Sequence, residues 1–211
     1  TRTWIFLGKY NNILIENKEF FKIENIKEIK EKANYYFEKA YQLSPKREEI
    51  LLSQIQTDFI LEEYQTANEK IKKCLILNPE SSYCWWLKIL SDLYLNETEQ
   101  AAKDIKITAE KQFNIHSEKN ISQFSAACEK TKNPKCFAEL TDIYYTIMVN
   151  NHFDPKYHFR LIYISARGEK EEMLKEEIKS MVRNWPELES ELNDTLELIY
   201  QYPNKINKKA V

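Results

Sequence analysis

The chain has 211 residues, of which 43% are hydrophobic and 30% charged, with only two glycines, six prolines and a formal net charge of −2. Lysine and glutamate alternate along it, so no broad basic surface is offered to a phosphate backbone, and nucleic acid is excluded as a partner. No apolar run reaches the roughly 20 residues that span a bilayer and no charged-then-apolar leader opens the chain, so a soluble segment with no direct membrane insertion is expected.

The scarcity of glycine and proline suits a nearly all-helical chain. A start at Thr1 without an initiator methionine, followed at once by a helical apolar pattern, is expected of a piece of a longer or processed polypeptide. Trp4, Leu7 and Ile15, with Tyr10 nearby, predict a first helix over 4–15. Residues 16–25 read as a connection anchored by Phe20 and Phe21. A second helix is predicted from Ile26 to Leu43, ending at Ser44 because the residue before Pro45 is pushed out of helical geometry. The next pair covers 50–61 and 64–77, and a third begins with Trp85, Trp86, Ile89, Leu90 and Leu93 and continues with Ala101 and Ile105.

A ladder runs through these helices. Ala33, Phe37 and Ala40 precede Pro45, and 34 residues later Ala67, Ile71 and Cys74 precede Pro79 at the same offsets. Positions four and seven apart share one helix face, and small residues there let two axes approach closely while the large residue between them locks the neighbour. A small-large-small-proline pattern of this period predicts a solenoid of helix-turn-helix units. In the third unit Thr108 takes the second small position and Phe113 replaces the proline, so that helix is expected to run past its usual stop. The phase is lost over 114–153, with a short helix predicted over 120–130 and another from the cap Asn133 and Pro134 to Val149. Asp154 and Pro155 repeat the start signal for a helix to Arg167, closed by Gly168 as a left-handed cap. Leu174, Ile178 and Met181 then precede Pro186 at the ladder's offsets, and a terminal helix is predicted over 187–202.

The ladder resembles the second-helix signature of the tetratricopeptide repeat (TPR) family, and Tyr64 matches its turn aromatic. Trp4, Leu7 and Gly8 look like the opening of the family's first helix, although Ile55 and Ile89 occupy its glycine position and Asp58 and Asp92 its tyrosine position in the next two units. The resemblance implies an all-α, right-handed TPR-like helical solenoid of about five antiparallel helix pairs. Residues 1–211 would form one repeat domain, with units over 3–45, 46–79, 80–113, an irregular 114–153, 154–186 and a terminal helix. Its implied function is noncatalytic binding of a protein or peptide in the concave face, with no cofactor. The stretches ANYYFEKAYQLSPKREEI and PKYHFRLIYISARGEKEEMLKEEIKSMVRNWPELES are also similar to the repeat regions that follow the membrane segments of some bacterial O-antigen ligase or polymerase-like proteins. On that narrower resemblance the chain would be a soluble accessory domain tethered to upstream membrane helices.

Thr57, Tyr94, Arg160, Tyr163 and Arg167 fall near the inner faces of first helices and are the candidate lining of a peptide groove. Arginine grips a carboxylate through two parallel bonds, and tyrosine presents apolar area with a polar tip. Trp85 and Trp86 read as core. His116, His152 and His158 recur with no nucleophile or carboxylate at a fixed spacing, so they read as surface or capping residues and no enzyme is expected. Cys74, Cys84, Cys128 and Cys136 lack the paired spacing of a zinc site. Cys74 reads as a core side chain. A bridge between Cys128 and Cys136, across the turn at Asn133-Pro134, is one option, and the redox state of the four stays open. Asn96-Glu97-Thr98, Asn120-Ile121-Ser122 and Asn193-Asp194-Thr195 fit a glycosylation pattern. Helix capping by Thr98 and Asn120 is the plainer expectation.

Overall fold

A chain so poor in helix breakers has its apolar residues spaced for helices, and helices are what form. A computed structural model describes residues 1–111, 113 and 118–201, and every regular element among the described residues is helical. In chain order these are α1 (Arg2–Glu16), α2 (Ile26–Leu43), α3 (Glu48–Ile60), α4 (Tyr64–Leu77), α5 (Ser82–Tyr94), α6 (Thr98–Glu110), α7 (Glu118–Thr131), α8 (Pro134–Val149), α9 (Pro155–Arg167), α10 (Glu171–Asn184) and α11 (Glu189–Gln201). A 3-10 turn, Pro186–Leu188, precedes α11. The chain divides into two compact units, Thr1–Leu95 and Asn96–Val211, and the boundary falls inside the expected 80–113 unit.

Two kinds of junction recur. After α2, α4 and α10 the residue before proline is extended: Ser44, Asn78 and Trp185 lie at φ −157°, −142° and −139°, as the ring of the following proline demands. The turns after α3, α5, α7 and α9 instead place Glu62, Asn96, Lys132 and Glu169 in the left-handed region, at φ 60°, 64°, 52° and 56°. After α3 and α9 the next residue reaches back five positions, Glu63 N–H to Asp58 O at 2.8 Å and Lys170 N–H to Ser165 O at 2.9 Å, which is the Schellman closure.

That geometry corrects the role expected of Gly168. It lies at φ −88°, and the left-handed residue is its neighbour Glu169. Glycine is required at 168 for space, because a Cβ there would stand 2.7 Å from the backbone nitrogen of Ala138 and 2.9 Å from its Cα. The end of α9 therefore sits directly on the backbone of α8. The expected overrun of α6 also fails. The helix stops at Glu110 without a proline, because Lys111 N–H still bonds Ile107 O while Phe113 N–H folds back to Thr108 O at 3.0 Å.

In the first unit α1 packs on α2, α3 on α1, α2 and α4, and α4 on α5. Ala33, Phe37, Ala40, Ala67, Ile71 and Cys74 are all without exposure, so every rung of the first two ladders faces the core. One cluster joins Ile5, Ala33, Phe37, Ala40 and Ile50, and a second joins Leu51, Ile55, Ala67, Ile71, Cys74, Cys84 and Leu87. Phe20 and Phe21 are not the buried anchor expected: they are 80% and 47% exposed and pack edge-on against each other at 5.0 Å. Trp85 and Trp86 are half-buried. Trp85 Nε1 donates to Pro79 O at 2.9 Å, and Trp86 stacks on Tyr83.

In the second unit α8 packs on α6, α7 and α9, and α9 packs on α10 and α11. Ala101, Ile105 and Thr108 are buried, and the Thr108 hydroxyl satisfies itself on Ile105 O at 2.7 Å. Ile162, Ala166, Leu174, Met181, Leu192 and Ile199 form a cluster shared by α9, α10 and α11. Thr98 and Asn120 are not caps, since they lie inside α6 and α7. Tyr202 at the end of the expected terminal helix lies outside the described residues, as does His116.

Candidate binding face

Residues three and four apart project from one side of a helix, so Arg160, Tyr163 and Arg167 share a face of α9, and Ser122 and Glu129, seven apart, share a face of α7. The two rows meet. Arg160 Nη1 donates to Ser122 Oγ at 3.2 Å, the Tyr163 hydroxyl donates to Glu129 Oε1, and Arg167 forks onto the same carboxylate, its Nε 3.1 Å from Oε1 and its Nη2 on Oε2. The Arg167 guanidinium also lies 5.4 Å from the centre of the Phe137 ring, so a charged plane rests on an aromatic face.

A cavity of about 480 Å³ opens beside this cluster, lined by Glu129, Tyr163 and Arg167 and by Thr195, Leu198 and Ile199 of α11. Burial, followed by the hydrogen bond to Glu129, pushes the Tyr163 phenol up to about 12. Arg167 has its fork filled by Glu129, so it shapes the wall and does not await a carboxylate. Among the described residues Arg160 holds only the Ser122 hydroxyl, which leaves donors for a ligand.

Three of the five expected groove residues thus come together, in the second unit. Thr57 and Tyr94 belong to the first. Thr57 is without exposure and donates to Asn12 Oδ1 at 2.7 Å, while Asn12 Nδ2 donates to Ser53 O at 2.9 Å. This polar lock between α1 and α3 leaves Thr57 nothing to offer a ligand. Tyr94 is half-buried and stacks flat on Tyr64 at 4.2 Å, with Phe59 edge-on at 6.2 Å.

Other residues depart from expectation. His158 is buried, not superficial: Nδ1 meets Glu177 Oε1, Nε2 meets His152 O at 2.9 Å, and the ring lies 4.7 Å from Trp185. His152 stays exposed, with Nδ1 3.0 Å from Val149 O at the end of α8. Cys74 is buried as expected but is joined to Cys84, while the bridge between Cys128 and Cys136, one of the options in the sequence, is formed. Glu48, Cys74 and Cys84 place donor atoms within 4.8 Å of one another, yet the bridged sulfurs carry no thiolate for a metal.

Sequence reasoning missed Glu129 and the α11 wall altogether. The signal for Glu129 was its seven-residue spacing from Ser122 on a helix whose existence was expected. No family model matches the chain, and no curated protein matches it.

Proposed function

We propose that this chain is a noncatalytic protein- or peptide-binding scaffold, its helices paired antiparallel within each unit in the right-handed manner of TPR-like repeats. The left-handed junctions after α3, α5, α7 and α9 and the pre-proline junctions after α2, α4 and α10 support that pairing, since they give successive turns two recurring geometries. The cavity between Glu129, Tyr163 and Leu198 carries the binding reading. It joins an apolar wall to a few fixed polar groups, the usual make-up of a site that seats one side chain and orients it. Its occupant is a peptide whose apolar side chain enters beside Leu198 and Ile199, while a carbonyl or carboxylate oxygen accepts from Arg160.

The test is selection of peptides from a displayed random library on the immobilised chain, followed by titration of the winners against variants. Leu198 is 58% exposed, so Leu198→Glu alters the cavity mouth without emptying the core. Selected peptides are expected to weaken at least about tenfold with Leu198→Glu and with Arg160→Ala, a loss of about 1.4 kcal/mol. Peptides that bind both variants as tightly as the parent would place recognition elsewhere.

A further inference from the structure

All four cysteines are paired, and the two pairs are placed alike. Cys74 stands three residues before the end of α4 and Cys84 is the third residue of α5; Cys128 stands three residues before the end of α7 and Cys136 is the third residue of α8. Their Cα atoms lie 6.4 and 5.4 Å apart, inside the range a bridge needs. None of the four is exposed, and no cysteine is left free. Packing alone does not ask for sulfur here, because Ala40 fills the same rung as Cys74 one repeat earlier. The two junctions are also of different kinds, one closed by a pre-proline residue and the other by the left-handed Lys132, so repeat duplication does not explain the pairing.

We infer that the chain folds and works in an oxidising compartment, where Cys74–Cys84 and Cys128–Cys136 staple two consecutive-helix junctions. Cytosolic thiols are kept reduced, and paired buried cysteines with none left over are the pattern of proteins that mature outside that pool. Each bridge forms by two exchange steps with an oxidising disulfide. One cysteine thiolate attacks it, releasing one thiolate and leaving a mixed disulfide. The second cysteine thiolate then displaces the other sulfur, so the oxidant leaves as a dithiol holding the two electrons and two protons. Glu48 belongs to the first staple's surroundings: Asn78 Nδ2 and Ser81 Oγ donate to its two oxygens at 2.9 and 2.6 Å, and Oε1 lies 3.5 Å from Cys84 Sγ. In a reduced chain the same three residues would offer a soft metal two thiolates and a carboxylate, the rival use of this pair.

The test is thiol trapping in the cells that make the protein. Cells are quenched in acid, free thiols are blocked with one alkylating reagent under denaturation, and the bridges are then reduced and labelled with a second. All four cysteines are expected to carry the second label, with non-reducing peptide maps joining 74 to 84 and 128 to 136. The first label on either pair overturns the inference. Zinc released on denaturation together with first-label Cys74 and Cys84 would assign that pair to a metal instead.

Discussion

Gly8 of α1 lies against the ring of Phe37, and a Cβ built at Gly8 would stand 2.3, 2.6 and 2.7 Å from three of its carbons. Carbon atoms prefer about 3.5–4.0 Å, so the ring or the whole of α1 would have to move by about 1 Å. Phe37 has no exposure and packs with Ile5, Ala33, Ala40 and Ile50, so a shift of the ring presses on those neighbours. Gly8→Ala therefore sets two effects against each other. Alanine gains about 1 kcal/mol of helix propensity over glycine, while overpacking a filled core costs about 1–3 kcal/mol. With three ring atoms in conflict the upper part of that cost applies, so a net loss of about 1–2 kcal/mol is expected. At roughly 2–4 °C per kcal/mol for a chain of this size, thermal unfolding followed by far-ultraviolet circular dichroism should resolve it. Placing Gly8→Ala in a Phe37→Leu background removes the ring and should restore the helix gain, a coupling between contacting residues. A higher midpoint for Gly8→Ala in the parent chain would refute the close approach of α1 and α2.

Glu169→Gly relieves a side chain held in the left-handed region, where strain of about 1–2 kcal/mol outweighs the extra chain entropy of glycine. A rise of up to about 1 kcal/mol in urea unfolding is expected, and a fall would show the turn to be unstrained. Because the folded Tyr163 phenol is pushed up from its ordinary 10 to about 12, its contribution to stability is whole below pH 10 and is lost as pH climbs toward about 12. Tyr163→Phe should flatten the alkaline decline of the unfolding midpoint, and parallel curves for the two proteins would contradict that. Asp92→Asn strips the carboxylate from buried Lys88 and should cost about 3 kcal/mol or more, whereas Asp58→Asn should cost less than about 1 kcal/mol because Lys70 is more exposed and can reach water. Equal losses in chemical denaturation would refute the distinction.

Helix existence was largely legible in the sequence because periodicity and proline act locally. Tyr64–Leu77, Pro134–Val149 and Pro155–Arg167 form over the expected spans, and the ladder residues Ala33 and Ala67 are buried as their size requires. The failures share a physical cause. The position of Gly168 after α9 argues for dihedral freedom, but the backbone of Ala138 in another helix decides it. Thr57 was read as lining a groove, but Asn12, 45 residues earlier, takes its hydroxyl into the interior. His158 is held by Glu177 of the next helix, and Glu129 is placed by two residues more than 30 positions away. Each of these identities is set by a partner that local spacing does not reveal.

Asp58 and Asp92 show how a buried carboxylate is accommodated between these helices. Both stand where the resemblance calls for tyrosine, 34 residues apart, and both are buried. Each finds its own cation. Asp58 meets Lys70 of the packed helix α4 at 2.7 Å, while Asp92 meets Lys88 of its own helix and also accepts from Asn68 of α4 at 2.8 Å. Burial pushes the Asp58 carboxyl above the usual carboxylate range and outweighs the pull of Lys70, so this pair is a poor source of net stability at neutral pH. What the Asp58–Lys70 pair supplies is direction: that carboxylate meets its cation only when α4 stands in one register against α3. Where the apolar rungs of α2 and α4 share one spacing, a polar contact that accepts one registration and rejects a slip of one helical turn is the term that tells the two helices apart.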